Sequence, residues 1–453
     1  MLWGKTGKVM KKFINNYGMV FILAALCVLF SFLTLKEQTP DSKNILNQII
    51  EKVKSFEKNE IIILCVGGKN TKSAEIAMEL EISLKQMGFS NSSSVVGTPA
   101  DLKKKLIKMM ENSNYPNFII MNKQISTWNV LESLKKDNII YGSTEEFFPK
   151  SNLFPDFLKK TNLIAIVDRI VVIAILAIGM TFVIITGGID LSVGSLIAVS
   201  AVVATSIMKS MGGVNASADI VFIGFVLGVL STMIIGGIGG FIVAFFKVPS
   251  FITTLAIMLI GRGLAFMITD GFSIYQVPES LIWLGQASSF GLPNTVIFLI
   301  ILYLIAHFFL SRTRIGRYIY AVGGNEEAAR LSGVPVNFIK IFVFLICGFT
   351  AGLGGCIQAS QLNSGTPNMG IMYELYVIAA VVVGGTTLSG GSGKILGTLI
   401  GVFVISVIQN GMNLIGIESY TQQVVLGLVI LIAVVIDKSK SHNFFVQFFN
   451  KIG

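Results

Sequence analysis

Charged residues are scarce in this sequence of 453 residues. Asp, Glu, Lys and Arg make up 13% of it, whereas hydrophobic residues make up 53%. A soluble domain usually carries about 25% charged residues. Because a charge at the centre of a bilayer costs a few kcal/mol, this shortage excludes an ordinary soluble protein. It predicts a chain that crosses a membrane many times.

Residues that form disulfides, hold metals or perform catalysis are also few. The two histidines are far apart, and no Cys-x-x-Cys pair occurs among the four cysteines, which are Cys27, Cys65, Cys347 and Cys356. Three of them lie in apolar stretches, which excludes a disulfide framework, and no spacing fits a zinc site. No nucleophile, base and acid form a recognisable set. We therefore expect neither an enzyme nor a bound metal or cofactor.

Basic residues give a net charge of +10, but they border apolar runs, which is typical of membrane proteins. We therefore expect contact with membrane lipid and none with nucleic acid.

The predicted spans after residue 160 are 162–186, 189–209, 219–246, 251–269, 293–311, 338–359, 374–387, 394–415 and 420–436. A tenth apolar run, Met19 to Leu35, follows a basic tail. The segment 374–387 is short enough to be a half-helix.

The distribution of Lys and Arg among the loops predicts how these spans are oriented in the membrane. The loops at 210–218, 270–292, 360–373 and 416–419 contain no Lys or Arg, whereas the loops on the other side contain many. Since basic loops stay in the cytoplasm, both termini are predicted to be cytoplasmic. The N-terminal run resembles a signal peptide, but its apolar part is too long and no cleavage site follows. It is predicted to remain as an anchoring helix.

Residues 37–160 differ from the rest of the chain, because they are rich in Lys, Glu, Asn and Ser and contain no spanning run. Strand-like and helical patterns alternate there, which predicts a small extracytoplasmic α/β domain inserted after the first helix. The fold class is otherwise an all-α polytopic membrane protein with about ten transmembrane helices. The predicted parts are a tail and first helix (1–36), the insert (37–160), a transmembrane domain (161–437) and a cytoplasmic tail (438–453).

The longest predicted cytoplasmic loop, residues 312–340, contains one short helix with clear start and stop signals. Asn325 suits its N-cap, Glu326 and Glu327 suit its first turn, and Gly333 followed by Pro335 stops it. Such a helix fits a groove in a partner protein, and it equally fits an ordinary solvated loop. Its residues alone do not decide between these two interpretations.

Four polar residues in or beside the spans are candidates for the translocation path or for helix packing. Asp190 follows a Gly-Gly pair and suits the cap of the next helix. Arg262 lies within a span, where a charge normally faces the interior and finds a partner. Gln358 and Asn410 suit hydrogen bonds either to a hydroxylated solute or to neighbouring helices.

The run from Ser389 to Lys394 superficially resembles a phosphate-binding loop. The Walker pattern requires Gly at 388 and Ser or Thr at 395, where this chain has Leu388 and Ile395. We therefore expect that the chain does not hydrolyse ATP itself and that a partner supplies the energy.

Several glycine-rich motifs follow one another along the apolar part of the chain. They are Gly179–Ser195, the stretch from Lys247 to Gly271, Thr313–Arg317 with Gly324–Val334, and Gly384–Gly393. In this order they resemble the permeases of ribose-, xylose- and galactose-type ABC importers, within the branched-chain amino acid and simple sugar permease superfamily. The insert at 37–160 departs from that family, because in typical members the first helix leads almost directly to the second.

The resemblance implies a permease subunit that carries a small sugar, most simply a monosaccharide, across a bacterial inner membrane. It implies a separate cytoplasmic ATPase that uses ATP, a second permease subunit in a homo- or heterodimer, and an external solute-binding protein. It assigns ATPase coupling to residues Gly324, Asn325, Glu326, Glu327, Ala328, Ala329, Arg330, Ser332 and Gly333. Nucleosides and branched-chain amino acids are alternative solutes. An ion-coupled secondary transporter and a membrane-anchored receptor are the rival classes.

Overall fold

The computed structural model describes residues 2–38, 40–54, 56–112, 114–128, 130, 133, 144–150 and 152–441. The chain divides into two compact units. We call Met1–Thr34 with Asp156–Gly453 the membrane unit, and Leu35–Pro155 the 35–155 unit. Most of the predicted C-terminal tail lies outside the described residues.

Helix α1 (Leu2–Leu33) of the membrane unit precedes the 35–155 unit. The strands of the 35–155 unit are β1 (Leu35–Gln38), β2 (Ile63–Gly68), β3 (Ser92–Gly97), β4 (Phe118–Ile120), β5 (Glu145–Phe147) and β6 (Asn152–Pro155). Its helices are α2 (Ser42–Val53), α3 (Lys72–Gln86), α4 (Pro99–Glu111) and α5 (Lys123–Ser126). Strands β1 and β6, where the chain enters and leaves the unit, form an antiparallel pair.

Strands β2 to β5 form a parallel sheet in the order β3-β2-β4-β5. Ile63 of β2 faces α2 and α3, where it packs with Leu80. Leu64 faces the opposite side, where it packs with Leu106 of α4. Because neighbouring residues of a strand point to opposite faces, the uninterrupted apolar run of β2 fits a sheet that is covered on both sides. Strand β3 was not predicted from the sequence, since its first half is three serines.

The membrane unit is built from helices. Among the described residues, seven are long and apolar enough to cross a membrane. They are α6 (Lys160–Ile185), α7 (Val193–Ser210), α8 (Ala218–Phe245), α9 (Ser250–Thr269), α11 (Asn294–Arg312), α14 (Val336–Leu362) and α16 (Ile395–Leu414). The others are α10 (Glu279–Gln286), α12 (Arg314–Gly324), α13 (Glu326–Leu331), α15 (Tyr373–Val383) and α17 (Ser419–Ser441), and a hairpin of β7 (Ser288–Ser289) and β8 (Leu292–Pro293) precedes α11. The prediction of a mostly helical, polytopic membrane protein is confirmed.

The observed helices differ from the predicted spans where glycine interrupts the backbone. Helix α7 begins at Val193 rather than at 189, because Gly187 takes a left-handed φ of +80° and the chain continues as a loop. Helix α15 ends at Val383 rather than at 387, where Gly385 has a φ of +91°. Helix α12 was not predicted at all. Its buried residues Ile319 and Val322 are spaced as on one helix face.

Helices α8 and α14 pack through glycine. A Cβ atom at Gly236 would lie 2.6 Å from the carbonyl oxygen of Phe344 and 3.0 Å from the Cα atom of Gly348. At the neighbouring Gly237, the nearest atom would be a side-chain methyl of Leu345 at 3.8 Å. Gly236 therefore permits close contact between the two backbones, as small residues do between membrane helices. Gly237 does not face the backbone of α14.

Candidate functional site

Hydrogen bonds define where the helices of the coupling segment, residues 312–340, begin. Thr313 Oγ1 accepts a hydrogen bond from Gly316 N at 3.0 Å and caps α12. Asn325 Oδ1 accepts one from Ala328 N at 2.9 Å and caps α13, as its position in the sequence predicts. Each cap satisfies one of the N–H groups that lack partners in the first turn of a helix.

The end of α13 is fixed as firmly as its start. Gly333 N donates to Arg330 O, and Val334 N donates to Ala329 O, both at 3.0 Å. Together these bonds form a Schellman motif, in which Gly333 takes the left-handed φ of +82° that favours glycine. Ser332 Oγ also donates to the carbonyl of Ala328. A helix of only six residues is thereby held in one conformation.

Charged side chains tie α13 to the start of α14. Glu326 lies 3.1 Å from Arg330 Nη2 and 2.7 Å from Lys340 Nζ. Partial burial raises the pKa of the Glu326 carboxyl, but the hydrogen bonds and positive charges of Lys340 and Arg330 outweigh burial and lower it below its ordinary value. Glu327 Oε2 lies 4.0 Å from Arg330 Nε, yet 75% of the Glu327 side chain is exposed, as is 82% of Leu331. They are the groups of α13 best exposed to a partner.

The end of α12 connects α13 to the helices of the membrane unit. A Cβ atom at Gly323 would overlap the carbonyl oxygen of Ile185, the last residue of α6. The same oxygen accepts a hydrogen bond from Gly391 N at 2.8 Å. Tyr320 Oη donates to Gly393 O at 2.8 Å. Movement of α12 and α13 would therefore act directly on the end of α6 and on the turn that precedes α16.

Arg262 of α9 holds the loop between α14 and α15. Its Nη1 donates to the carbonyl oxygens of Pro367 and Met369, the second at 2.8 Å. The half-buried carboxyl of Glu374, in the first turn of α15, attracts the same guanidinium electrostatically. Gly194 of α7 leaves room for this carboxyl, because a Cβ atom there would overlap Glu374 Oε2. Arg262 thus braces the place where α7, α9 and α15 meet.

Gln358 of α14 bonds to the residue beside Glu374. Its Nε2 donates to Tyr373 Oη at 3.0 Å. Its Oε1 is buried and has no hydrogen-bond partner within the described part of the chain. A buried acceptor without a partner is costly, so it marks a position where a hydroxyl group would be stabilised.

The other two polar candidates hold the bundle together. Asp190 is fully buried, and its Oδ1 accepts hydrogen bonds from the backbone N and the hydroxyl of Ser192 at 2.9 and 2.6 Å. It therefore orders the turn that leads into α7. Asn410 exchanges amide hydrogen bonds with Asn162 at 2.9 and 3.1 Å, which joins α16 to α6.

A family model described as "Branched-chain amino acid transport system / permease component" matches residues 162–434. This range contains the coupling segment and all four polar candidates, and it leaves out the 35–155 unit. The chain belongs to this permease family.

Curated relatives of this permease match most of their own length. The ribose import permease protein RbsC of Escherichia coli (strain K12) is 45% identical over 295 residues, which is 64% of this chain and 89% of the relative. The L-arabinose transport system permease protein AraH of the same strain is 39% identical over 286 residues, or 63% and 85%. The D-allose transport system permease protein AlsC is 36% identical over 282 residues, or 62% and 85%. No solved structure matches the permease significantly.

Two features of the permease site were not predicted from the sequence. Helix α12, which links α13 to α6, lies where the sequence predicts a loop, although its apolar residues have helical spacing. Tyr373 and Glu374 were not assigned to the path, because nothing in the sequence brings them to Gln358 and Arg262.

Proposed function

We propose that this chain is the membrane-spanning subunit of an ABC importer that carries a monosaccharide across the bacterial inner membrane. The observation that supports this most strongly is the likeness to three relatives named for three different monosaccharides, each matched over at least 85% of its length. A separate ATPase supplies the energy by hydrolysing ATP. A second permease subunit completes the pathway, and an external solute-binding protein delivers the solute.

The coupling segment supports a docking site for the ATPase. Helix α13 is capped at both ends, so it moves as a rigid body rather than unfolding under load. Its exposed Glu327 and Leu331 offer one charged and one apolar group to a groove in the partner. Because Gly323 packs against the end of α6, a push on α13 reaches a helix of the translocation domain without passing through a flexible linker.

The polar cluster around Gln358 supports a path for hydroxylated solutes. The Oε1 acceptor of Gln358 and the hydroxyl of Tyr373 suit the hydroxyl groups of a sugar, which both donate and accept hydrogen bonds. Arg262 is occupied by two backbone carbonyls, so its role in the proposal is to position the loop before α15. We assign Asp190 and Asn410 to helix packing.

The proposed topology follows from the distribution of basic residues. Both termini and the coupling segment lie in the cytoplasm, about ten helices enter the membrane, and residues 37–160 form an extracytoplasmic α/β insert. Three shorter apolar helices lie within α1, α15 and α17. Together with the seven longer helices, they give the proposed ten helices that enter the membrane.

Co-purification from solubilised membranes tests the assignment. The wild-type chain should retain the importer's ATPase. The double variant Glu327→Lys with Leu331→Asp should lower the amount of retained ATPase about tenfold, because contact residues at an interface can contribute more than 1 kcal/mol. Glu418→Gln, a charge change in the exposed 416–419 loop on the opposite side, should retain the ATPase. If the wild-type chain retains no ATPase under conditions that preserve other ABC complexes, the importer assignment is wrong.

Uptake in cells that express the complete importer tests the solute. The family description names branched-chain amino acids, whereas the relatives are named for sugars, so radiolabelled D-ribose, L-leucine and a nucleoside should be compared directly. We expect ATP-dependent uptake of the sugar only. Uptake of L-leucine but not of the sugar would leave the assignment as an importer intact and would show that the assignment of a sugar as the solute is wrong.

A further inference from the structure

The 35–155 unit contains a cavity that the transport function does not use. Its volume is about 230 Å³. It lies beyond the carboxyl ends of β2 and β4, between the first turn of α3 and the residues that follow β4, and it is lined by Ser73 and Asn122 among others. The family model does not cover this unit.

The topology of the sheet accounts for the position of this cavity. From β2 the chain crosses to β3 on one side, and it then returns past β2 to β4 on the other side. Helix α3 packs on one face of the sheet and α4 on the opposite face. The loops that leave β2 and β4 therefore diverge and open a crevice between them. In open parallel sheets, ligands bind in such crevices at the point where the strand order reverses.

The chemistry of the lining favours an uncharged ligand. The floor is apolar and includes Ala77 and Leu80 of α3. The rim carries one acidic and one basic group, Glu37 and Lys123, and these pair with each other at 3.0 Å. Because the two charges cancel, the rim offers no net charge that would favour an ionic ligand.

Several polar groups around the cavity suit hydroxyl groups. Asn122 Oδ1 accepts a hydrogen bond from Ile125 N, whereas its Nδ2 donor has no partner within the described residues. Ser73 of α3 also lines the crevice, but its hydroxyl already bonds to Gly68 N and Thr71 Oγ1. Gln124 adds an amide that both donates and accepts.

We propose that this cavity binds a small neutral molecule that carries several hydroxyl groups, such as a monosaccharide or a polyol. The apolar floor receives the C–H face of the ligand, and the side-chain amides of Asn122 and Gln124 bind its hydroxyls. The volume is below the range of about 300–1,000 Å³ that is usual for drug-sized ligands, which limits the ligand to a small one. The inference goes beyond transport, because it gives the 35–155 unit a solute site of its own.

Equilibrium dialysis with the purified full-length chain tests this proposal. The probes are radiolabelled D-ribose and myo-inositol as neutral ligands, and ribose 5-phosphate as an anionic one. The informative variant is Asn122→Asp, because Asp also caps helices well and thus preserves the start of α5 while removing the amide donor. Asn114→Asp makes the same charge change at an exposed position of the unit outside the cavity. Gln358→Leu removes the candidate acceptor in the membrane unit.

We expect at least one neutral probe to bind. Asn122→Asp should weaken the affinity for that probe about tenfold, because the variant loses one hydrogen bond to the ligand. Asn114→Asp and Gln358→Leu should leave the affinity unchanged. Ala77→Leu, which fills the floor, should abolish binding. Absence of binding in the millimolar range, preference for ribose 5-phosphate, or sensitivity to Gln358→Leu in place of Asn122→Asp would overturn the proposal. None of these results bears on retention of the ATPase, which tests the transport function separately.

Discussion

Helices of the 35–155 unit contact their sheet through large aliphatic side chains, whereas α8 and α14 of the membrane unit contact each other through glycine. Leu64, Leu80 and Leu106 are at most 2% exposed in the first unit. At the second contact, Gly236 lies so close to Phe344 and Gly348 that no Cβ atom fits. These two contacts thus bury their helices by opposite means.

The surrounding solvent explains this difference. In water, removal of apolar side chains from the solvent stabilises a unit in proportion to the area buried, so large residues are favoured. In lipid, an aliphatic side chain gains little by leaving the acyl chains, and helices associate through close backbone packing and hydrogen bonds. The comparison predicts that deletion of side-chain atoms damages the 35–155 unit and that addition of atoms damages the membrane unit.

The largest expected effect is that of Leu106→Ala in α4. Removal of a buried leucine side chain should destabilise the 35–155 unit by about 2–5 kcal/mol. Cys65 reports on this change, because it is fully buried in the same unit and burial raises the pKa of its thiol to about 12. Its reaction with a maleimide therefore requires opening of the unit. We expect labelling of Cys65, followed by mass spectrometry, to become at least about tenfold faster.

Ile107→Ala provides the matched control for Leu106→Ala. It removes a similar side chain from the next position of the same helix, where the residue is 37% exposed. Its effect should stay within about 0.5 kcal/mol. Equal acceleration of Cys65 labelling by both variants would mean that α4 does not pack on the sheet as described.

Gly236→Ala should have the next largest effect, in the membrane unit. The added methyl group meets backbone atoms of α14 that cannot move aside, so we expect a loss of about 1–3 kcal/mol. Gly237→Ala adds the same group one position along, at an ordinary contact distance of 3.8 Å from Leu345, and should be neutral or stabilise the helix by about 0.5–1 kcal/mol. The midpoint of thermal aggregation, followed by fluorescence-detected gel filtration, distinguishes the two. Similar losses from both variants would remove the basis for the contrast between the units.

The sequence predicted features that depend on local residue order and missed those that depend on distant contacts. Asn325 and Gly333 mark the ends of α13 because capping is decided within a few residues. The apolar spans were located because length and hydropathy are local properties. By contrast, the partners of Arg262 are about a hundred residues away, and only the packing of the helices brings them together. The same limit applies to Gln358, whose interaction with Tyr373 depends on the loop between α14 and α15.

The coupling segment belongs to the membrane unit, but its stability depends on helix capping. Asn325→Ala removes the N-cap of α13 and should cost about 1 kcal/mol of helix stability. We expect retention of the ATPase on co-purification to fall by roughly fivefold. Asn325→Asp keeps a capping side chain and should restore retention. If both variants retain the ATPase fully, a preformed α13 is not required for docking.

The smallest expected effect is the response of the coupling segment to acid. The pKa of Glu326 is lowered from its ordinary value of 4.5 by Lys340 and Arg330. Its interactions therefore contribute fully above about pH 4.5 and are lost as the pH falls through the lower pKa of the folded state. The group is partly exposed, and such ion pairs contribute about 0–1 kcal/mol, so the change should be modest.

Glu326→Gln makes this response measurable, because it removes the titrating group and keeps the shape of the side chain. The ATPase itself is affected by acid, so the informative quantity is the ratio of ATPase retained by wild type and by the variant at each pH. This ratio should be constant from neutral pH down to about pH 4.5 and should approach one as the pH falls through the lowered pKa of Glu326, where the wild-type carboxyl becomes protonated. A ratio that changes between pH 6 and 7 would point to a different titrating group. A ratio of one at all pH values would mean that the network of Glu326, Arg330 and Lys340 does not stabilise the docked helix.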